Sequence, residues 1–221
     1  MNVSSTRDEN LHTCSIMKND RITIDSATRA TRANTVAQQY NGIHPLFEDF
    51  YIHSIVYSAE RAVAAFQQFE DGAAGSSTPA VVVRSVQESL AHAAAVSRFF
   101  WPMKDHPLAV ARGKRLREAF QLDDSSPLKW RKLRNAFEHF DESLDQFLLC
   151  DPTGYFFPGA IVGSHSLADD AVGNIFKLVD PIDDYCVILG EKFEFRRIIA
   201  AVASVLMQAQ TMERQGCGLG L

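Results

Sequence analysis

The chain has 221 residues, 46% of them hydrophobic, and a formal net charge of -5. That length and composition suit one sizeable core, and the acidic balance speaks against a protein that coats nucleic acid non-specifically. The longest mainly apolar run, Ile198 to Met207, is about half of a bilayer span, and residues 1–20 are polar and acid-bearing, so no membrane association is expected and the cytoplasm is the expected compartment.

Residues 1–42 are rich in Ser, Thr, Asn and charge and read as a flexible leader, with a helical piece near Thr28 to Gln39. From Pro45 to Glu70 the apolar spacing is helical and puts Leu46, Phe50, Ile55, Ala59, Val63 and Phe66 on one side. The run Asp71 to Ser77 ends that helix as a turn. Thr78 as N-cap and Pro79 at the first helical position open a second helix, which Trp101-Pro102 stops. A third runs from Asp105-His106-Pro107 to about Phe120. Ser126 and Pro127 open a fourth, predicted as one continuous helix to about Cys150. The β-prone runs 174–179 and 185–189 flank Asp180-Pro181-Ile182-Asp183-Asp184 and read as a hairpin near 174–190. A last helix covers Phe193 to Glu213, and 216–221 reads as a disordered tail. The expected architecture is therefore mainly α: an up-and-down bundle of four core helices plus a C-terminal helix, spanning 43–215, with a small hairpin insertion. Cysteines 14, 150, 186 and 217 lack CxxC spacing, which argues against a zinc knuckle and a disulfide framework and suits a reducing compartment.

Chemistry concentrates at 131–145, RKLRNAFEHFDESLD, where Arg134, Asn135 and His139 spell Arg-Asn-x3-His. A cation, an amide and an imidazole are the equipment for cleaving RNA without a metal. Leu133, Phe137, Phe140, Leu144 and Phe147 recur at helical intervals and face a core, which leaves Asn135 and His139 together on another side. Arg134 lies five residues before His139, roughly 140° around the axis, so one helix does not press the two together. Either the arginine curls toward a shared substrate or a second copy of the chain completes the site. Charge is also polarised. Ten Lys/Arg face four Asp/Glu between Arg98 and Arg134, and two face twelve between Asn135 and Glu194. The basic segment either steers a phosphate backbone toward the motif or is a solvated face pairing with acids.

A helical bundle bearing this motif on a late helix resembles the HEPN superfamily, many of whose members look like metal-independent endoribonucleases of toxin-antitoxin, phage-defence and RNA-processing systems. The resemblance covers roughly residues 45–150. It implies that Arg134, Asn135 and His139 are catalytic, that two copies dimerise so that their motif helices share a cleft, and that RNA is the substrate. Under that reading His139 exchanges a proton with the ribose 2′-hydroxyl or the leaving oxygen, Arg134 holds the scissile phosphate and Asn135 orients it. Arg131, Lys132 and Arg98 then contact neighbouring phosphates, no metal or other cofactor is required, and an antitoxin or regulatory protein is a further partner.

Other residues have plainer readings. Glu138 and Asp141 beside the motif repel phosphate, and an Arg134 to Glu138 link at i, i+4 is an alternative structural role. His92, with Glu88 and Ser89, either lines the same cleft or is a hydrogen-bonded bundle histidine. Trp101 and Trp130 read as core or interface anchors. The same Arg-x4-His spacing also occurs at Arg7 and His12. The competing function is a catalytically silent bundle that binds RNA, a nucleotide or a protein partner.

Overall fold

The computed structural model describes residues 24–75, 77–103, 106–150, 154–170, 173–216 and 218–219. Within its helices the side chains of Arg131, Leu133, Arg134, Glu138 and Cys150 lie outside that description, as do Arg7 and His12 in the leader. The described residues form seven α-helices and one four-stranded sheet. The helices are α1 (Ser26–Gln39), α2 (Glu48–Ala74), α3 (Pro79–Phe100), α4 (Pro107–Ala119), α5 (Arg131–Glu138), α6 (Phe140–Cys150) and α7 (Phe195–Arg214). The strands are β1 (Tyr155–Val162), β2 (Gly173–Asp180), β3 (Tyr185–Ile188) and β4 (Glu191–Glu194). No helix among the described residues is long and apolar enough to cross a membrane.

The core lies where α2, α3 and α7 pack together. On α2 its face is Ile52, Ile55, Val56, Ala59, Ala62 and Phe69, a 3.6-residue rhythm. Leu46 and Phe50, expected on that face, are instead exposed at 78% and 68%. Leu46 sits in the 3-10 turn Pro45–Phe47 before the helix, where the helical phase does not yet apply. Phe195 of α7 meets Phe69 edge-on with ring centres 5.2 Å apart, and Ser89 of α3 donates to the Ala62 carbonyl of α2 at 2.7 Å, so this buried hydroxyl is satisfied. Helix α2 also runs on through Asp71-Gly72-Ala73, beyond its predicted stop.

Helix α1 starts on an Asp25 N-cap, whose carboxylate accepts from the Thr28 amide at 2.8 Å, and α1 lies on α4 with no buried residue of its own. The reversal after α1 uses Gly42 at φ +91°, where a β-carbon would sit 2.0 Å from the Arg112 amide nitrogen, so only glycine fits. Glu48 joins three segments: its carboxylate accepts from Arg115 of α4 and, at 2.8 Å, from the Leu219 amide. Leu219, expected in a disordered tail, is only 3% exposed.

The β region is larger than a hairpin. Strands β2 and β3 pair antiparallel from Lys177↔Ile188 to Asp180↔Tyr185, β4 adds antiparallel to β3, and β1 adds parallel to β2. The connection from β2 to β3 is tied by Asp180, which accepts from the Ile182 and Asp183 amides and from both the amide and the Nδ1 of His165. Burial works to raise this carboxyl, but those hydrogen bonds overcome it and hold it down at about 2.

The expected single helix over 127–150 is three pieces: a 3-10 turn at Pro127–Lys129, then α5, then α6. Ser126 accepts from the Leu128 amide, and His139 caps α5 with φ -119° and ψ 38°. The amide of His139 still donates to Asn135 and its carbonyl still accepts from Ser143, so the chain is bent rather than opened. Beyond the bend Phe140 meets Phe176 of β2 with ring centres 5.9 Å apart, so α6 follows the sheet instead of continuing the line of α5.

Candidate functional site

A groove of about 520 Å³ runs between the α5–α6 bend and the tip of the β3–β4 hairpin. One wall is a polar stripe: Lys132 and Asn135 of α5, His139 at the bend, Ser143 and Gln146 of α6. These positions recur every three or four residues, so the two short helices present one continuous face. The opposite wall is Ile188, Leu189 and Glu191, and Phe147 closes one end. The hairpin turn is Leu189-Gly190, both at positive φ (+49° and +78°), the left-handed pair of a type I′ turn. Leucine in that conformation costs about 1 kcal/mol relative to glycine.

His139 is half exposed, with Nδ1 3.5 Å from the Glu142 carboxylate. Both groups are well solvated, so the pair contributes less than about 1 kcal/mol when the ring is protonated. Nδ1 faces Glu142, and Nε2 is the ring nitrogen that this pair leaves unengaged. Asn135 and His139 thus share one concave surface with Lys132. Arg134 occupies α5 by its backbone, and its side chain, like that of Arg131, lies outside the described residues. Arg98 is exposed at the end of α3, where its carbonyl accepts from Arg112, and it does not line this groove.

Much of the basic segment serves the scaffold. Arg115 is paired with the buried Glu48. Arg117 donates to the Phe100 carbonyl and lies over the Trp101 ring, and Lys129 pairs with Asp124 at 2.9 Å. The Trp101 indole donates to Asp124 at 3.5 Å, and Trp130 meets Phe193 at 5.5 Å, so both tryptophans anchor packing. His92 does not line the groove, and its neighbour Ser89 is used by the core.

Among the described residues one group has metal-ligand spacing, His165, Asp180 and Asp183. Asp180 already accepts four hydrogen bonds there, and the His165 ring stacks on Tyr185 at 4.3 Å, so the cluster is a tie across the β2–β3 connection. Cys186 is buried, and burial pushes its thiol up to about 12, which keeps it protonated and inert. A smaller apolar groove of about 260 Å³ adjoins the first, lined by Leu144, Leu148, Phe156, Phe157 and Phe176, with Phe147 common to both.

The helical wall is visible in the sequence as Asn135 and His139, and continuing their spacing reaches Ser143 and Gln146. The hairpin wall has no such signal, because Leu189 and Glu191 arrive from about fifty residues away. This chain matches no family model, no curated protein and no solved structure.

Proposed function

We propose that this protein is a metal-independent endoribonuclease of the HEPN type, acting as a homodimer in the cytoplasm. The observation that carries the reading is the convergence of Lys132, Asn135 and His139 on one groove. In this reading α2, α3, α4 and the α5–α6 arm correspond to the four core helices of that superfamily, and α7 is the additional C-terminal helix. The Nε2 of His139 takes the proton from a ribose 2′-hydroxyl, whose oxygen attacks the adjacent phosphorus. The bond to the 5′-oxygen breaks, and that oxygen receives a proton from water or from His139 of the second copy. Products are a 2′,3′-cyclic phosphate and a 5′-hydroxyl. Arg134 stabilises the charge developing on the phosphate oxygens and Asn135 orients them, while Lys132 and Arg131 hold flanking phosphates and Arg98, outside the groove, meets phosphates farther along the strand. A toxin or defence role with a protein regulator fits that chemistry.

One observation favours the second reading, a silent bundle that binds RNA, a nucleotide or a protein. Glu142 and Glu191 stand at the groove, and Arg115, Arg117 and Lys129 are committed to structural contacts, which lowers the positive charge left for phosphate. The two readings separate in one assay: purified protein with RNA in excess chelator. Cleavage that His139→Ala lowers by at least about 100-fold, the contribution of a positioned acid or base, supports the nuclease. RNA binding without cleavage supports the silent bundle.

A further inference from the structure

The groove has an end that the cleavage chemistry leaves unused. His139 at the bend and Phe147 of α6 are eight residues apart, roughly 12 Å along the helix direction. At that far end the ring of Phe147 lies against Gly190, with Cε2 3.8 Å from where a β-carbon on that glycine would be. Leu189 adds hydrocarbon to the same surface from a left-handed backbone position that Asn, Asp or Gly occupies at lower cost. Glu191 follows directly after Gly190, is exposed, and has no ion-pair partner among the described residues. Gln146 precedes Phe147 and is exposed on the same wall.

We propose that this end of the groove receives an unpaired guanine of single-stranded RNA, its face on Phe147 and Leu189 and its N1–H and N2 amino group donated to the Glu191 carboxylate. The assignment rests on the reading of the groove as an RNA site and adds the base that the site selects. A carboxylate only accepts hydrogen bonds, so its match is an edge that presents adjacent donors. Guanine offers two side by side. Uracil offers one donor between two carbonyls, and adenine and cytosine each offer an amino group beside a ring nitrogen that only accepts. Gln146, with amide donors, complements the guanine O6 next to that pair. Aromatic and aliphatic surfaces under splayed bases are the usual way single-stranded RNA is gripped.

The test is equilibrium binding by fluorescence anisotropy, in chelator, of 2′-deoxy oligonucleotides that lack the attacking hydroxyl. Each is an oligouridine-type strand with one central guanine, adenine, cytosine or uracil. The guanine strand is expected to bind roughly tenfold or more tightly than the others, the discrimination of a bidentate base contact. Glu191→Gln, an exposed and isosteric change, is expected to erase that preference while leaving the all-uracil strand within about twofold. Phe147→Ala is expected to weaken all four strands by roughly fivefold or more. Equal binding of the four strands, no binding of any, or an unchanged guanine preference in Glu191→Gln overturns the assignment. Guanine-selective binding by a protein that fails to cleave RNA sustains the base site and removes the nuclease. RNA cleavage indifferent to base and to Glu191→Gln does the reverse.

Discussion

The α2–α3–α7 core and the α5–α6 arm are both helical, yet they use their apolar side chains in different ways. In the core Ile52, Leu90 and Val202 are completely buried, and the few polar groups between helices are satisfied. In the arm Phe137, Phe140 and Phe147 are only half buried, and Leu148 and Leu149 are exposed. A scaffold built the first way fixes geometry, while an arm held by a few ring contacts can turn a polar stripe into a groove. Function tends to be placed on elements of the second kind and stability on the first.

That contrast has measurable consequences, starting with the largest. Leu90→Ala in the core is expected to lower unfolding free energy by about 3–5 kcal/mol, against no more than about 0.5 kcal/mol for Leu149→Ala on the arm, which is 81% exposed, both read by urea titration. Similar losses at the two sites would erase the distinction. Next comes Glu48→Ala, which leaves the Arg115 guanidinium and the Leu219 amide without their acceptor. A loss of about 3 kcal/mol is expected, and a neutral result would mean that the junction of α2, α4 and the chain end does not hold the scaffold.

The smallest effect sharpens the comparison at the sheet. Asp180 titrates at about 2 in the folded protein, below its ordinary value of 3.8. Its contribution, about 2 kcal/mol, is therefore fully present above pH 4 and is lost as pH falls from about 4 to 2. Urea midpoints measured across that window should fall more steeply for the natural protein than for Asp180→Asn. Parallel acid limbs would show that the hydrogen bonds from His165, Ile182 and Asp183 are not what ties the β2–β3 connection.

The amount of this that the sequence discloses follows from the range of the forces involved. Apolar periodicity marks α2, α3 and α7 because each buries one stripe against the same core, whereas α4, which buries only Gly113 and Leu116, is marked by its His106-Pro107 start. It also over-reads: Leu46 and Phe50 match the spacing of α2, but the phase is set by Ile52 onward. The bend at His139 is invisible locally, since Phe140 leaves the line of α5 to meet Phe176, which is thirty-six residues further on. Strand β1 escapes notice because Pro158-Gly159 reads as a breaker, whereas the ladder accommodates it with a register shift between Phe157 and Ala160. Strand β4 has one buried apolar residue, Phe193, too little for a pattern. Of the groove, the helical wall is legible and the hairpin wall is not, because pairing across a sheet, rather than local spacing, delivers Leu189 and Glu191.

The account turns on the imidazole of His139 moving a proton in that groove. The most direct measurement is cleavage of single-stranded RNA by the purified chain in excess chelator, alongside His139→Ala shown to be folded by circular dichroism, with the product ends identified. The account predicts 2′,3′-cyclic phosphate and 5′-hydroxyl ends from the natural protein and a loss of at least about 100-fold in the variant. Undiminished cleavage by His139→Ala, or no cleavage by either protein, would contradict it.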